Sequence, residues 1–326
     1  YLNISIAYQK KNKVDRSIFY LEKILSIDKN NFDALNNLGK LYFDKRNYKQ
    51  SLIFYKKALV INNKNQYLYN NIGLLYEREK KFKQAKYFYN NALKINPDFY
   101  DCQFNLAVLL LKIGNCKEGM KLYDSRFFKI EKKNLSLQNN NILNNSICDI
   151  NKNEYIYILA EQGYGDIFQF CRFGLKLREK GFKPVFVIYD ELVNFFTEQK
   201  IFEKYIKKSE FEKLQVKKYN IIPLLSVPNF FNFTFGDLVL NNSYLKSNFN
   251  KKEFWGRKVN KKYFNIGIAW HTQQNIYNYD RNIPLEILLK LLKFKKIKLI
   301  SLHTKSKNQA LLHKQNKILF FNEIDE

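Results

Sequence analysis

Halfway along the chain stands Glu161-Gln162-Gly163-Tyr164-Gly165-Asp166, in a protein with only 11 glycines among 326 residues. An apolar run, Tyr155 to Ala160, precedes it, and helix-like spacing through Phe168, Phe170, Phe173 and Leu175 follows. The stretch reads as a strand-to-helix corner. Gly163 and Gly165 are expected to let the backbone turn sharply and come close to a ligand. Asp166 falls in the first turn of the helix. There a carboxylate can cap the helix, worth about 1 kcal/mol over alanine, or face whatever binds at the corner. Glu161 and Gln162 add hydrogen-bonding groups that a cap alone does not need. The spacing is not the dinucleotide fingerprint, which would put glycine at Phe168, and no phosphate-loop pattern occurs. A second set of polar residues recurs upstream: Asn3, Asn37, Asn71 and Asn105 share one phase. Each amide offers a donor and an acceptor. A row of them along a concave wall can hydrogen-bond an extended peptide backbone at regular intervals. Asparagine is abundant throughout the chain, so composition alone also accounts for the column.

The elements that must position these residues follow from a period of 34, the separation of Gly39 and Gly73. On that period Leu38-Gly39 aligns with Ile72-Gly73 and Leu106-Ala107. Ser17, Ser51, Ala85 and Gly119 form a small-residue column, and Tyr55, Tyr89 and Tyr123 an aromatic one. Ala58 aligns with Ala92, and Pro97 closes its unit. Each unit is expected to be two amphipathic helices. The small residue lets the pair approach closely, the aromatic fills the gap, and neighbouring pairs stack into a solenoid. The pattern resembles tetratricopeptide repeats over residues 1–127. It decays in the last unit, where Gly119 and Arg126 stand in place of alanines. The Asn row is similar to that on the repeat superhelices of protein O-GlcNAc transferases.

Residues 128–153 are polar, Asn-rich and aperiodic, and are expected to form a linker. Beyond them the pattern changes. Tyr155–Ala160, Pro184–Tyr189, Tyr219–Leu225 and Phe264–Trp270 have strand length and apolar content. Phe168–Lys180, Glu191–Gln199 and Phe202–Ile206 have helical spacing. Strands alternating with helices predict a parallel sheet in an α/β domain, whose ligands meet the carboxyl ends of its strands.

Totals narrow the function classes. Lys+Arg 56 against Asp+Glu 30 leaves a net charge of +26. Lysine, asparagine, isoleucine, tyrosine and phenylalanine dominate everywhere, and no short basic block marks a nucleic-acid arm. Nucleic acid is therefore not an expected partner. Cys102, Cys116, Cys148 and Cys171 stand far apart without a CxxC pair, which speaks against zinc or a disulfide framework and for a reducing, cytoplasmic setting. No stretch is long and apolar enough to span a bilayer. Peripheral membrane contact stays open. The chain starts at Tyr1, so a preceding segment is expected.

Three ordered stretches carry a further resemblance. "AEQGYGDIFQF" (Ala160–Phe170) resembles the AEQGxGDxxQF motif of bacterial TPR-fused glycosyltransferases of the heptosyltransferase-like group. "IIPLLSVP" (Ile221–Pro228) looks like that group's CPLLSLP segment. "NIGIAWHTQQNIYNYDRNIPL" (Asn265–Leu285), followed by "ISLHT" (Ile300–Thr304), looks like its VGxxWxGNxxxxxDRxRSIPL segment and next strand. The chain departs from the pattern at His271 and Thr272 and keeps one arginine, Arg281. The family's later sugar-nucleotide segment is missing before Glu326.

The resemblance implies an α-solenoid followed by a GT-B-type α/β fold. Its acceptor-side Rossmann-like half would span 154–259, and residues 260–326 would begin the donor-side half. It implies an inverting transfer from a nucleotide sugar to a protein or glycan acceptor, with no metal. Asp166 would take the acceptor's proton, and Arg281 would meet a phosphate. Glu161, Gln162, Gly163, Gly165 and His271 would line the substrate. Asn37, Asn71 and Asn105 would hold a peptide. The alternative is a protein-binding TPR scaffold with an inactive transferase-like domain.

Overall fold

The computed structural model describes residues 1–129, 151–213, 220–231, 243–269, 283–302 and 318–319. The linker positions 130–150, together with Cys148, Trp270, His271, Thr272 and Arg281, lie outside the described residues. The chain forms two compact units, Tyr1–Tyr244 and Leu245–Glu326.

The first unit opens with helix pairs at the expected period. α1 (Leu2–Lys10) pairs with α2 (Val14–Ile27), and α3 (Phe32–Asp44) with α4 (Tyr48–Ile61). α5 (Gln66–Arg78) pairs with α6 (Phe82–Ile95), and α7 (Tyr100–Lys112) with α8 (Cys116–Tyr123). A short α9 (Arg126–Lys129) follows. The small-residue and aromatic columns do the packing. A Cβ on Gly73 would lie 2.6 Å from the Tyr89 ring, and one on Gly39 2.5 Å from Tyr55. Only glycine lets these buried rings wedge against the first helix. Ser51 Oγ donates to the Gly39 carbonyl at 2.7 Å, closing the same pair from the other side. In the first unit Ser5 takes the glycine's place and bonds Ser17 Oγ at 2.8 Å.

Much of the asparagine is structural. Asn31, Asn47 and Asn65 each accept a backbone N–H at a helix start, the capping role that suits a short amide. The turn inside each pair carries one left-handed residue: Asn12 (φ 55°), Arg46 (φ 60°), Lys80 (φ 59°) and Gly114 (φ 83°). Only the last is glycine, so two long side chains sit where L-residues are disfavoured.

The rest of this unit is a four-stranded parallel sheet in the order β3-β2-β1-β4. Its strands are β1 (Tyr155–Leu159), β2 (Lys183–Ile188), β3 (Lys204–Lys207) and β4 (Asn220–Pro223). α10 (Tyr164–Phe170) and α11 (Phe173–Glu179) connect β1 to β2. α12 (Val193–Gln199) connects β2 to β3, and α13 (Lys208–Phe211) follows β3. A 3-10 segment, Leu224–Phe231, leaves β4. β1 and β2 are apolar because both faces of the sheet are covered. Two expectations change. Phe168–Lys180 is two helices broken at Cys171-Arg172, not one. Phe202–Ile206 is not helical: Lys204–Lys207 is the edge strand. The reason is tertiary. Phe202 stacks on Phe186 at 4.2 Å and fills the notch at Gly174, and the backbone N–H groups of Ile201 and Phe202 donate to Tyr205 Oη.

The second unit holds α14 (Phe249–Lys258) and a parallel sheet ordered β5-β6-β7. Its elements are β5 (Phe264–Ile268), α15 (Leu285–Leu289), β6 (Ile297–Ser301) and β7 (Ile318–Leu319). Its core is Ile268, Leu292 and Leu299.

Candidate functional site

Two places gather polar groups: the Asn row of the repeats and the corner after β1. First helices of successive repeats pack on one another, α3 against α5 and α5 against α7, so the row runs along a wall these helices share. Asn3 is exposed, and Asn37, Asn71 and Asn105 are half-buried. The side chains of Asn37 and Asn71 make no hydrogen bond to another described residue. Asn105 differs: its Nδ2 donates to Asn70 Oδ1 at 2.9 Å. The evenly available ladder therefore breaks at Asn105, whose amide ties two repeats together. One repeat earlier, Asn36 stands where Asn70 does, and its Oδ1 is buried without a hydrogen-bond partner. A buried acceptor without a donor costs about 1–3 kcal/mol, so the tie that Asn105 makes to Asn70 has no counterpart at Asn36.

At the corner, the left-handed residue is Gln162 (φ 62°), whereas Gly163 has φ −84°. The expectation that the glycines make the sharp turn is thus corrected: Gln162 makes it. Gln162 is held there from two sides. Its Nε2 donates to Tyr123 Oη at 3.3 Å, and Tyr189 Oη donates to its carbonyl at 3.1 Å. Added Cβ atoms at Gly163 and Gly165 would meet open space apart from Asp166 Oδ2, 4.0 Å from the first. The glycines keep one side of the corner clear. Gly163 is the N-cap residue of α10 and Asp166 its third residue, so Asp166 is not the cap. Asp166 is half-buried, within reach of the helix's positive end. Beside it, exposed Tyr164 donates to Glu191. That bond holds the Glu191 carboxyl below its ordinary value of 4.5. Asp190 is likewise held low by Ser209, whose Oγ and N–H both donate to it.

The order β3-β2-β1-β4 reverses between β1 and β4 in an all-parallel sheet, and open α/β sheets bind ligands at the carboxyl ends beside such a reversal of strand order. In this chain an arginine of the helical array occupies that position. All five N–H donors of Arg126 are used. Nε and Nη2 form a fork on Glu161 at 3.1 and 2.7 Å, and Nη2 also reaches Ser226 Oγ at 2.9 Å. Nη1 donates to Asp124 Oδ1 at 2.6 Å and to the Tyr123 carbonyl at 3.1 Å. The guanidinium lies between the rings of Tyr123 and Phe127, 4.8 and 4.1 Å from their centroids. Ser226 Oγ in turn donates to Asp124 Oδ1, and Asn229 Nδ2 to Asp124 Oδ2. Glu161 Oε1 also accepts the Leu225 N–H at 3.0 Å. Arg126 is 4% exposed. Burial works against its charge, but the bonds to Glu161 and Asp124 outweigh this and raise its pKa.

Glu161, expected to face substrate, thus has its carboxylate engaged within the protein, as a brace between the repeats and the sheet. Gln162 braces the same corner, while Gly163, Gly165 and Asp166 line its open side. Nothing in Arg126's immediate sequence marked its role. The signal was its place in a column otherwise occupied by Ala58 and Ala92. Burial pushes the thiols of Cys102 and Cys171 up to about 12, too high for a nucleophile at neutral pH. Among the described residues no group of three or more His, Cys, Asp or Glu side chains is placed to hold a metal, and no helix is long and apolar enough to cross a membrane.

Comparisons with known proteins address the helical part. Tetratricopeptide repeat models match residues 1–31, 32–65 and 67–99. Among solved structures, the chain is similar to MamA (22% identity, 39% of this chain and 75% of that one, TM-score 0.36). It is also similar to MamA 41-end from Desulfovibrio magneticus RS-1 (15% identity, 41% and 76%, TM-score 0.38). A third is YrrB, a TPR protein with an unusual peptide-binding site (20% identity, 40% and 66%, TM-score 0.35). No curated protein matches. The stacked helix pairs of residues 1–99 are three tetratricopeptide repeats.

Proposed function

We propose that this chain is a protein-interaction scaffold whose repeats bind an extended segment of a protein partner along α3 and α5. The observation that carries this reading is the pair Asn37 and Asn71. They lie half-buried on the first helices of successive repeats and make no side-chain hydrogen bond to another described residue. An extended backbone presents N–H and C=O groups that such amides can pair, as in other peptide-recognition modes that use main-chain bonds. Peptides selected from a random display library on the intact protein test it. Selected binders should lose affinity on Asn37→Ala with Asn71→Ala, by roughly 0.5–1.5 kcal/mol per lost hydrogen bond, while the helical circular dichroism stays unchanged. Binders indifferent to both substitutions would refute the site.

A second reading is that residues 154–259 form the acceptor half of a GT-B glycosyltransferase. The supporting observation is the order β3-β2-β1-β4 with Asp166 at the clear side of the corner after β1. On this reading Asp166 accepts the proton of a protein or glycan hydroxyl as that oxygen bonds to the sugar's anomeric carbon and the nucleoside diphosphate of the donor leaves, with no metal. His271 and Arg281 would serve the donor. Asp166 is not the α10 cap, so Asp166→Asn should leave folding nearly unchanged. Transfer by a full-length protein should fall by roughly 10²–10⁴-fold. Undiminished transfer would remove Asp166 from the chemistry.

A further inference from the structure

The second helices of the repeats carry an exposed apolar row at the same 34-residue period: Phe19 (46% exposed), Ile53 (40%) and Tyr87 (62%) on α2, α4 and α6. Eight residues further on, Ile27, Ile61 and Ile95 form a parallel exposed row. Such residues scattered singly need no explanation. Three successive repeats placing them at two matched positions are not scattered. The face is basic over its second and third repeats, while α2 is balanced, with Asp15 and Glu22 beside Arg16 and Lys23. α4 and α6 carry Lys49, Lys56, Lys57, Lys83, Lys86 and Lys94 and no acidic residue. The first helices are mixed: α3 and α5 hold Asp33, Asp44 and Glu77 beside Lys40 and Arg78. Positive charge is thus concentrated on α4 and α6 rather than on the asparagine-bearing α3 and α5. Lys23 lies over the exposed ring of Phe19 at 4.8 Å, between the two rows.

We infer that this outer face is a second docking surface, and that its occupant is an acidic protein segment bearing spaced Leu, Ile or Phe side chains. Charge complementarity selects the occupant. Lysines flanking apolar rows repel a second copy of this basic chain and attract a carboxylate-rich one. An acidic flexible chain keeps its own apolar residues exposed to solvent until a basic apolar face covers them. An anionic bilayer shares the charge but not the shape. Stacked repeats rotate from one to the next, which turns successive outer helices away from any one plane, whereas a flexible chain can follow all three. The face is independent of the asparagine wall, so one array can join two partners.

The test uses the intact protein and a synthetic peptide of Asp and Glu interrupted by Leu and Phe. Its companions are the same peptide with Ser at the apolar positions, vesicles containing phosphatidylserine, and ultracentrifugation of the protein alone. The apolar peptide should bind saturably and more weakly as salt rises, and the Ser peptide at least about tenfold more weakly. Phe19→Gln, Ile53→Gln and Tyr87→Gln together should lower apolar-peptide affinity by about tenfold or more. These positions are exposed, so melting should not change. Asn37→Ala with Asn71→Ala should leave this binding intact, which separates it from the asparagine wall. Equal binding of both peptides, or an unaffected triple variant, overturns the inference. So does vesicle binding without peptide binding, or a self-association that the triple variant abolishes.

Discussion

Ala58, Ala92 and Arg126 occupy one column of the repeat and part company in what they touch. In the middle repeats the alanines are fully buried between helices and serve only close approach. In the last unit the same position sends a guanidinium out of the array to Glu161 and Ser226, 35 and 100 residues away in sequence. The first arrangement is local and repeats itself. The second joins the array to the sheet and occurs once among the described repeats. A periodic fold gains stability from many similar contacts between neighbours. A junction between two folds rests on a few residues with no equivalent elsewhere.

Removing the junction should have the largest effect. Arg126→Ala leaves the carboxylates of Glu161 and Asp124 without their cation in a largely enclosed place. Breaking one side of a buried pair costs about 3–5 kcal/mol, and denaturant unfolding should show a loss near the lower figure. Arg126→Met with Glu161→Leu should recover only part of it, because the Glu161 charge is no longer orphaned while Asp124 still lacks its cation. A melt of Arg126→Ala like that of a surface variant would mean the array and sheet are not joined here.

A change within the array should cost less. Gly73→Ala puts a methyl 2.6 Å from the Tyr89 ring, and overpacking of this kind typically costs about 1–3 kcal/mol. The effect should stay in the repeats, with amide exchange speeding in α5 and α6 and not in β1. Equal speeding in β1 would erase the distinction between periodic and single contacts.

The turns offer a change of opposite sign. Arg46→Gly and Lys80→Gly place glycine where φ is near +60°. Each should raise stability by about 0.5–1 kcal/mol, the relief of left-handed strain less the entropy of glycine. Thermal melting would register this, and no gain from either would show that the turn side chains offset their own strain.

The smallest effect lies at the corner. The hydrogen bond from Tyr164 holds Glu191 below 4.5, so its contribution is present above about that pH and is lost as pH falls through the lower folded value. The Tyr164 ring signal in NMR should report the release in acid. Glu191→Gln should remove that pH dependence, and its persistence would assign it to another group.

The helix pairs, their 34-residue period and the first sheet's alternation were legible in the residues themselves. Helical periodicity, the 34-residue columns and apolar strand runs are local records of which face each element buries. The edge strand was not legible, because Phe202 to Ile206 suits either conformation until Phe186 and Gly174 supply a partner. At the corner the residues marked a turn but not its maker. Gln162 takes the left-handed place because Tyr123 and Tyr189 grip it from elsewhere in the fold. Glu161 reads as a free acid in sequence. Only the tertiary structure brings Arg126 to it, since a buried guanidinium needs carboxylates from wherever the packed chain presents them, whatever the separation along the sequence.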